Sequence, residues 1–151
     1  MELKKKLVDI LKSKGQTIAI MESCTGGGLA NEITNISGAS EVFEFGAVTY
    51  SNKSKIMLGK EKMNETIEKY SVYSKETAEV MAEAIATLAN STFGIGITGQ
   101  LEKKTNEVDF SIYNSNDKSF DTVHLTLADI DRKDNKIVII NQIIERLLKV
   151  V

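Results

Sequence analysis

Two short segments carry side chains with chemistry to offer. The first is Glu22-Ser23-Cys24-Thr25-Gly26-Gly27, a hydroxyl and a thiol followed by glycines. The second is Tyr50-Ser51-Asn52-Lys53-Ser54-Lys55. A serine hydroxyl attacks a carbonyl only when a base takes its proton. A lysine serves as that base if its pKa falls from ~10.4 toward ~7–8, a bias of about 4 kcal/mol against the ammonium form. Burial or a neighbouring cation must supply the bias, and Arg132 is one such cation. The start of the helix behind the glycines would favour an anion or a developing oxyanion. Each segment also has a plainer reading. Ser23 or Thr25 can cap a helix, and Lys55 can be a solvated surface lysine beside Asn52.

These segments would be positioned by the elements around them. Thr17 to Glu22 is apolar on both faces, as a strand buried between two layers is, and the glycine turn that follows leads into a short helix over Leu29 to Ile36. Val42 to Ser51 reads as a second strand, running into a short helical segment from Ser51 to Leu58. Both candidate segments therefore sit at carboxyl ends of strands, the edge at which open α/β sheets bind ligands. Leu3, Leu7, Ile10 and Leu11 recur at helical spacing before Gly15, which predicts an amphipathic first helix. Ala78, Met81, Ala82, Ile85, Leu88 and Ala89 form one stripe of a helix that starts near Ser74. Thr92 to Gly99, Glu107 to Asn114 and Phe120 to Leu127 read as three strands, Leu101 to Glu107 as an irregular loop, and Arg132 to Val151 as a closing helix. The order predicts a three-layer α/β/α sandwich with a mixed sheet, a parallel core plus a C-terminal antiparallel hairpin.

Length and composition bound the possibilities. A chain of 151 residues fits one domain spanning 1–151, and 26% charged residues is ordinary for a soluble globular protein. No apolar run approaches the roughly 18 residues of a membrane-spanning helix, and the charged N-terminus is unlike a secretory signal, so a cytoplasmic protein without a membrane partner is expected. One cysteine and one histidine give no zinc cluster, and no metal site is expected. A net charge of −2 gives no global attraction for a phosphate backbone, so nucleic acid is not expected as a partner.

Other signals are better read as structure. Gly94-Ile-Gly-Ile-Thr-Gly99 fits a dinucleotide fingerprint by letters, but its glycines fall inside a strand with no helix after them. His124 alternates with Thr122 and Thr126 on the polar side of a strand. Cys24 reads as a small packing residue whose place at a helix start could lower its pKa.

Taken together, TIAIMESCTGG, SGASEVFEFGAVTYSNKSKIMLG, YSVYSKETAEVMAEA and GIGITG resemble the CinA C-terminal domain family, also known as nicotinamide-nucleotide amidohydrolase, from about Leu7 to Thr98. The resemblance implies a three-layer α/β/α domain that converts nicotinamide mononucleotide to nicotinate mononucleotide and ammonia. It places the nucleophile on Ser23, the general base on Lys55 and an active-site tyrosine on Tyr50. Glu22, Thr25, Gly26, Gly27, Thr98 and Arg132 would line the substrate site. The implied partner is a small nucleotide, no metal or organic cofactor is required, and homo-oligomers, dimers or larger, are common in the family.

The match breaks after Thr98-Gly99. There the family carries a glycine-rich loop of Gly-Pro-Gly-Gly character, whereas this chain reads Gln100-Leu-Glu-Lys-Lys-Thr-Asn-Glu107. The change should reshape the pocket, with Lys103 and Lys104 either replacing backbone contacts to a phosphate or standing in solvent. Three functions remain open at this point: the nucleotide amidohydrolase, a Ser–Lys hydrolase of another amide or ester, and a binding module without turnover.

Overall fold

The computed structural model describes residues 1–151. In chain order it has helix α1 (Glu2–Lys14), strand β1 (Ile18–Glu22), helix α2 (Gly28–Thr34), a 3-10 turn at Ala39–Glu41, strand β2 (Phe43–Val48), and helices α3 (Asn52–Tyr70) and α4 (Lys75–Ala89). Strands β3 (Phe93–Glu102), β4 (Thr105–Asn114) and β5 (Ser119–Thr126) follow, and helix α5 (Arg132–Val150) closes the chain.

The five strands form one sheet in the order β2-β1-β3-β4-β5. The pairs β1/β2 and β1/β3 are parallel, and β3/β4 and β4/β5 are antiparallel. On one face, Leu7, Leu11, Leu29, Ile33, Ile139 and Ile143 from α1, α2 and α5 pack on Ile18, Ile20, Ile95 and Phe110 in the larger apolar core. On the other, Met63 of α3 and Met81 and Ile85 of α4 close over Ala19 and Met21. The expected α/β/α sandwich with a mixed sheet is therefore present. β1 is buried at all five positions because each of its faces meets a helical layer.

Helix ends follow local chemistry. Gly15 takes φ 62° beyond α1, and Ser74 Oγ accepts from Thr77 N–H at the start of α4. The letters resembling a dinucleotide fingerprint serve packing. A Cβ on Gly94 or Gly96 would come within 2.0 Å of Ala82 O or 2.2 Å of Ala78 O, so the glycines let α4 lie directly on β3.

Two expectations need correction. The segment Leu101 to Glu107 is not an irregular loop: β3 continues to Glu102, β4 starts at Thr105, and Glu102 pairs with Thr105 across a tight turn at Lys103-Lys104. The expected C-terminal antiparallel hairpin is present as β4 and β5, and β3 pairs antiparallel with β4 as well, which extends it to a three-stranded meander. The alternation of buried Leu101 with exposed Glu102 carries the strand forward, but Lys-Lys lacks the Asn-Gly or Asp-Gly signature that marks a tight turn in sequence. The helical segment after Ser51 is also longer than expected. It runs to Tyr70 with a break at Lys60, whose φ of 60° interrupts the helix beside Gly59.

Candidate active site

The sheet brings the two candidate segments together through its last parallel rung. Glu22 pairs with Val48, and Thr49 N–H then donates to Glu22 O at 2.7 Å. Ser23 and Thr49 consequently leave β1 and β2 side by side. Immediately afterwards Ser51 starts α3 with a reciprocal capping box, its Oγ accepting from Ser54 N–H at 3.1 Å and its N–H donating to Ser54 Oγ at 3.2 Å. This fixes the entry of the helix, and Lys55, in its first turn, points back beneath the strand ends.

Lys55 is only 2% exposed although it carries an amine. Its Nζ lies 3.0 Å from Ser23 Oγ and donates to Thr49 O at 2.7 Å. No carboxylate comes within ion-pairing distance of it. Burial therefore lowers its pKa below the usual lysine value, the direction a base requires. Only a Cys24 thiolate would oppose this lowering. That thiolate does not form near neutral pH, because burial pushes the Cys24 thiol up to about 12. The position of Cys24 does not depress its pKa: α2 starts four residues later, at Gly28, and desolvation is the larger effect.

Ser23 and Lys55 open onto a cleft of about 160 Å³ whose walls include Tyr50, Tyr73, Leu101, Glu102 and Arg132. Tyr50 is 63% exposed at its mouth. Arg132, the first residue of α5, donates from Nη2 to Tyr50 Oη at 3.2 Å and from Nη1 to Glu102 Oε1 at 2.9 Å. Arg132 thus bridges the parallel side of the site to the β3–β4 hairpin. It does not face Lys55 as the neighbouring cation, and burial alone lowers the pKa of that amine.

Five expected site residues do not line the cleft. Glu22 is buried, with its carboxylate accepting from Thr25 Oγ1 at 2.6 Å, Leu29 N–H at 2.9 Å and Ala30 N–H at 2.9 Å. It caps α2 from the end of β1, the role Ser23 or Thr25 would have had on the plainer reading, and frees the Ser23 hydroxyl. Thr25 is committed to Glu22, so both residues hold the turn and neither reaches the cleft. Thr98 is fully buried and donates from Oγ1 to Val72 O at 2.9 Å, which fixes the loop presenting Tyr73. Gly26, at φ 62°, lies on the α5 side, where an added Cβ would meet Lys136 Nζ at 3.3 Å. Gly27, at φ 93°, takes the N-cap position of α2. Gly26 N–H is taken by Ser23 O, which leaves the N–H groups of Thr25 and Gly27 without an internal partner.

Sequence reasoning missed Thr49, whose carbonyl orients the amine, and Tyr73, which forms part of the cleft wall. Thr49 acts through its backbone, which leaves no letter to find. Glu102 lies in the segment expected to reshape the pocket and does line the cleft, but its contact with Arg132 was hidden by reading the hairpin as a loop. His124 stands outside the cleft, donating from Nδ1 to the buried Asp109 carboxylate at 2.8 Å. Lys103 and Lys104 are exposed at the hairpin turn. No group of three or more His, Cys, Asp or Glu side chains is placed to hold a metal ion, and no helix is long and apolar enough to cross a membrane.

A family model described as the CinA C-terminal domain matches residues 1–151, and the chain belongs to that family. A protein of Thermoanaerobacter pseudethanolicus named as a competence-damage inducible protein is 48% identical over 99 residues, 65% of this chain and 24% of that protein. One of the same name from Clostridium botulinum is 50% identical over 97 residues, 64% of this chain and 24% of that protein. The match therefore spans about a quarter of the length of these curated relatives. Among solved structures, a competence/damage inducible protein from Agrobacterium tumefaciens superposes with TM-score 0.90 at 26% identity, covering 98% of this chain and 93% of that one. A competence or damage-inducible protein from Enterobacter asburiae gives TM-score 0.91 at 25% identity over 99% and 96% of the two chains.

Proposed function

We propose that this chain is a Ser–Lys amidohydrolase of linear carboxamides, with nicotinamide mononucleotide as the substrate its family resemblance implies. The observation that carries the reading is the buried Lys55 amine, 3.0 Å from Ser23 Oγ and without a carboxylate partner. A structural lysine would be neutralised by an acid; this one is desolvated against a hydroxyl, which favours the uncharged amine.

In the first half-reaction Lys55 Nζ takes the Ser23 proton as Oγ bonds to the carboxamide carbon. The tetrahedral oxyanion would be met by backbone N–H groups of the turn after Ser23, where Cys24 lines the cleft. Lys55 returns the proton to the amide nitrogen, the C–N bond breaks and ammonia leaves a nicotinoyl ester on Ser23. Water then gives a proton to Lys55 and attacks the ester carbon. The ester bond breaks, Ser23 regains that proton from Lys55, and the carboxylic acid product departs, its own proton passing to ammonia or solvent. Thr49 O holds the amine toward Oγ throughout.

Ammonia release from nicotinamide mononucleotide by purified protein, compared with Ser23→Ala, tests the reading. Release that the substitution abolishes supports it. Saturable binding of the nucleotide with no release from this or any other carboxamide would replace it with a binding module. We place the enzyme in the cytoplasm, where a pyridine nucleotide is available.

A further inference from the structure

We propose that Glu102 sets the charge class of the substrate. It occupies the Arg132 guanidinium and so weakens the hold of the cleft on the phosphate of a mononucleotide, which lowers its affinity relative to the phosphate-free pyridine ribonucleoside. The inference rests on the amidohydrolase reading and concerns the distal end of the same cleft.

Three observations converge on it. First, Arg132 is the only cation on the cleft wall besides the buried Lys55. Second, that guanidinium is already engaged, with Nη1 on Glu102 Oε1 at 2.9 Å and Nη2 on Tyr50 Oη at 3.2 Å. A phosphate monoester would have to displace a carboxylate of the same sign from the only guanidinium that could receive it. Third, the depression adjoining the mouth carries Glu102, Asp129 and Asp131 against Lys103 and Arg132, so no excess positive charge awaits a dianion. A nicotinamide ribonucleoside carries a single positive charge on its pyridinium, which an acidic rim attracts; adding a 5′-phosphate makes the same molecule a net anion, which that rim repels.

The hairpin gives Glu102 its reach. Because β3 pairs with β4 as far as Glu102 and Thr105, Glu102 is held at the last rung of a ladder, and its exposed side chain extends to the start of α5. Glu102 acts on selectivity through Arg132, not on the reacting atoms.

The test uses nicotinamide riboside and nicotinamide mononucleotide, a pair differing only in the 5′-phosphate, with the whole chain and its Glu102→Gln variant. The unsubstituted protein should show the lower KM for the riboside. Glu102→Gln should shift the KM ratio about tenfold toward the mononucleotide, an effect of the order expected for freeing one guanidinium, and the change should lie in KM and not in kcat. An unchanged ratio, or a mononucleotide preference already present before substitution, overturns the proposal. Calorimetric binding of the mononucleotide to the Ser23→Ala protein, with and without Glu102→Gln, gives a readout that needs no turnover. Tighter binding after Glu102→Gln supports the role of Glu102 even if neither amide is hydrolysed, an outcome that would sink only the amidohydrolase reading. Equal binding by both proteins overturns the role of Glu102 whatever the turnover.

Discussion

The two halves of the cleft are held in different ways. Ser23, Thr49 and Lys55 are buried and tied to one another through the β1/β2 ladder and the capping box of α3. Tyr50, Glu102 and Arg132 are exposed and joined only by side-chain contacts. A buried amine pinned by a carbonyl has one position, whereas an exposed ion pair contributes about 0–1 kcal/mol and yields to a competing group. The lesson is a division of labour. On the proposed function the parallel half of the sheet would supply the reactivity, and the antiparallel hairpin, through readily displaced contacts, would decide what reaches it.

The comparison predicts that damage to the first half is severe and damage to the second is selective. Ser23→Ala, or Lys55→Met, which keeps the length and removes the amine, should each lower kcat by about 10⁴-fold or more, measured as ammonia release. Circular dichroism should still show a folded protein for both. An equally large loss from Tyr50→Phe would erase the distinction between the halves, since that substitution removes only the hydroxyl that accepts from Arg132.

The acid limb of the activity profile sharpens the claim about Lys55. Its pKa is lowered by burial, so kcat/KM should rise with pH as the ammonium becomes the amine, through a midpoint below the ordinary lysine value of 10.5. The same burial acts on stability. The folded state disfavours the ammonium, so the cost is complete below the folded-state pKa and disappears as pH rises from there to 10.5. Every tenfold weakening of proton binding by the amine corresponds to about 1.4 kcal/mol. Urea titrations of the unsubstituted protein should show stability rising with pH across that window, and Lys55→Met should remove that increment.

Glu22→Ala should cost about 2–3 kcal/mol of stability, because it leaves Leu29 N–H, Ala30 N–H and Thr25 Oγ1 without their acceptor. Thermal unfolding checks this. A loss of activity at unchanged stability would instead return Glu22 to the substrate site. The smallest expected effect concerns Cys24. With its pKa pushed up to about 12, iodoacetamide at pH 8 should modify it at least ~100-fold more slowly than a free cysteine.

Much of this division could be read from sequence, and for a physical reason. The apolar run ending before Ser23 and the strand ending before Lys55 marked both ends of the Ser23–Lys55 contact, because buried parallel strands leave a clear pattern and their carboxyl ends share one edge. What letters do not encode is direction. Glu22, Thr25 and Thr98 lie beside the cleft in sequence, yet each side chain points into the fold to satisfy a backbone group or a neighbour. Arg132 lines the cleft, and its bond to Glu102 depends on a hairpin whose Lys-Lys turn carries no turn signature.

The most direct measurement is the site of acylation. The protein is mixed with an activated nicotinate ester, quenched in acid within seconds and mapped by peptide mass spectrometry. The account requires a nicotinoyl group on Ser23, absent from the Lys55→Met variant. Nicotinoylation of Cys24 instead, or equal labelling of Ser23 when residue 55 has no amine, would contradict it.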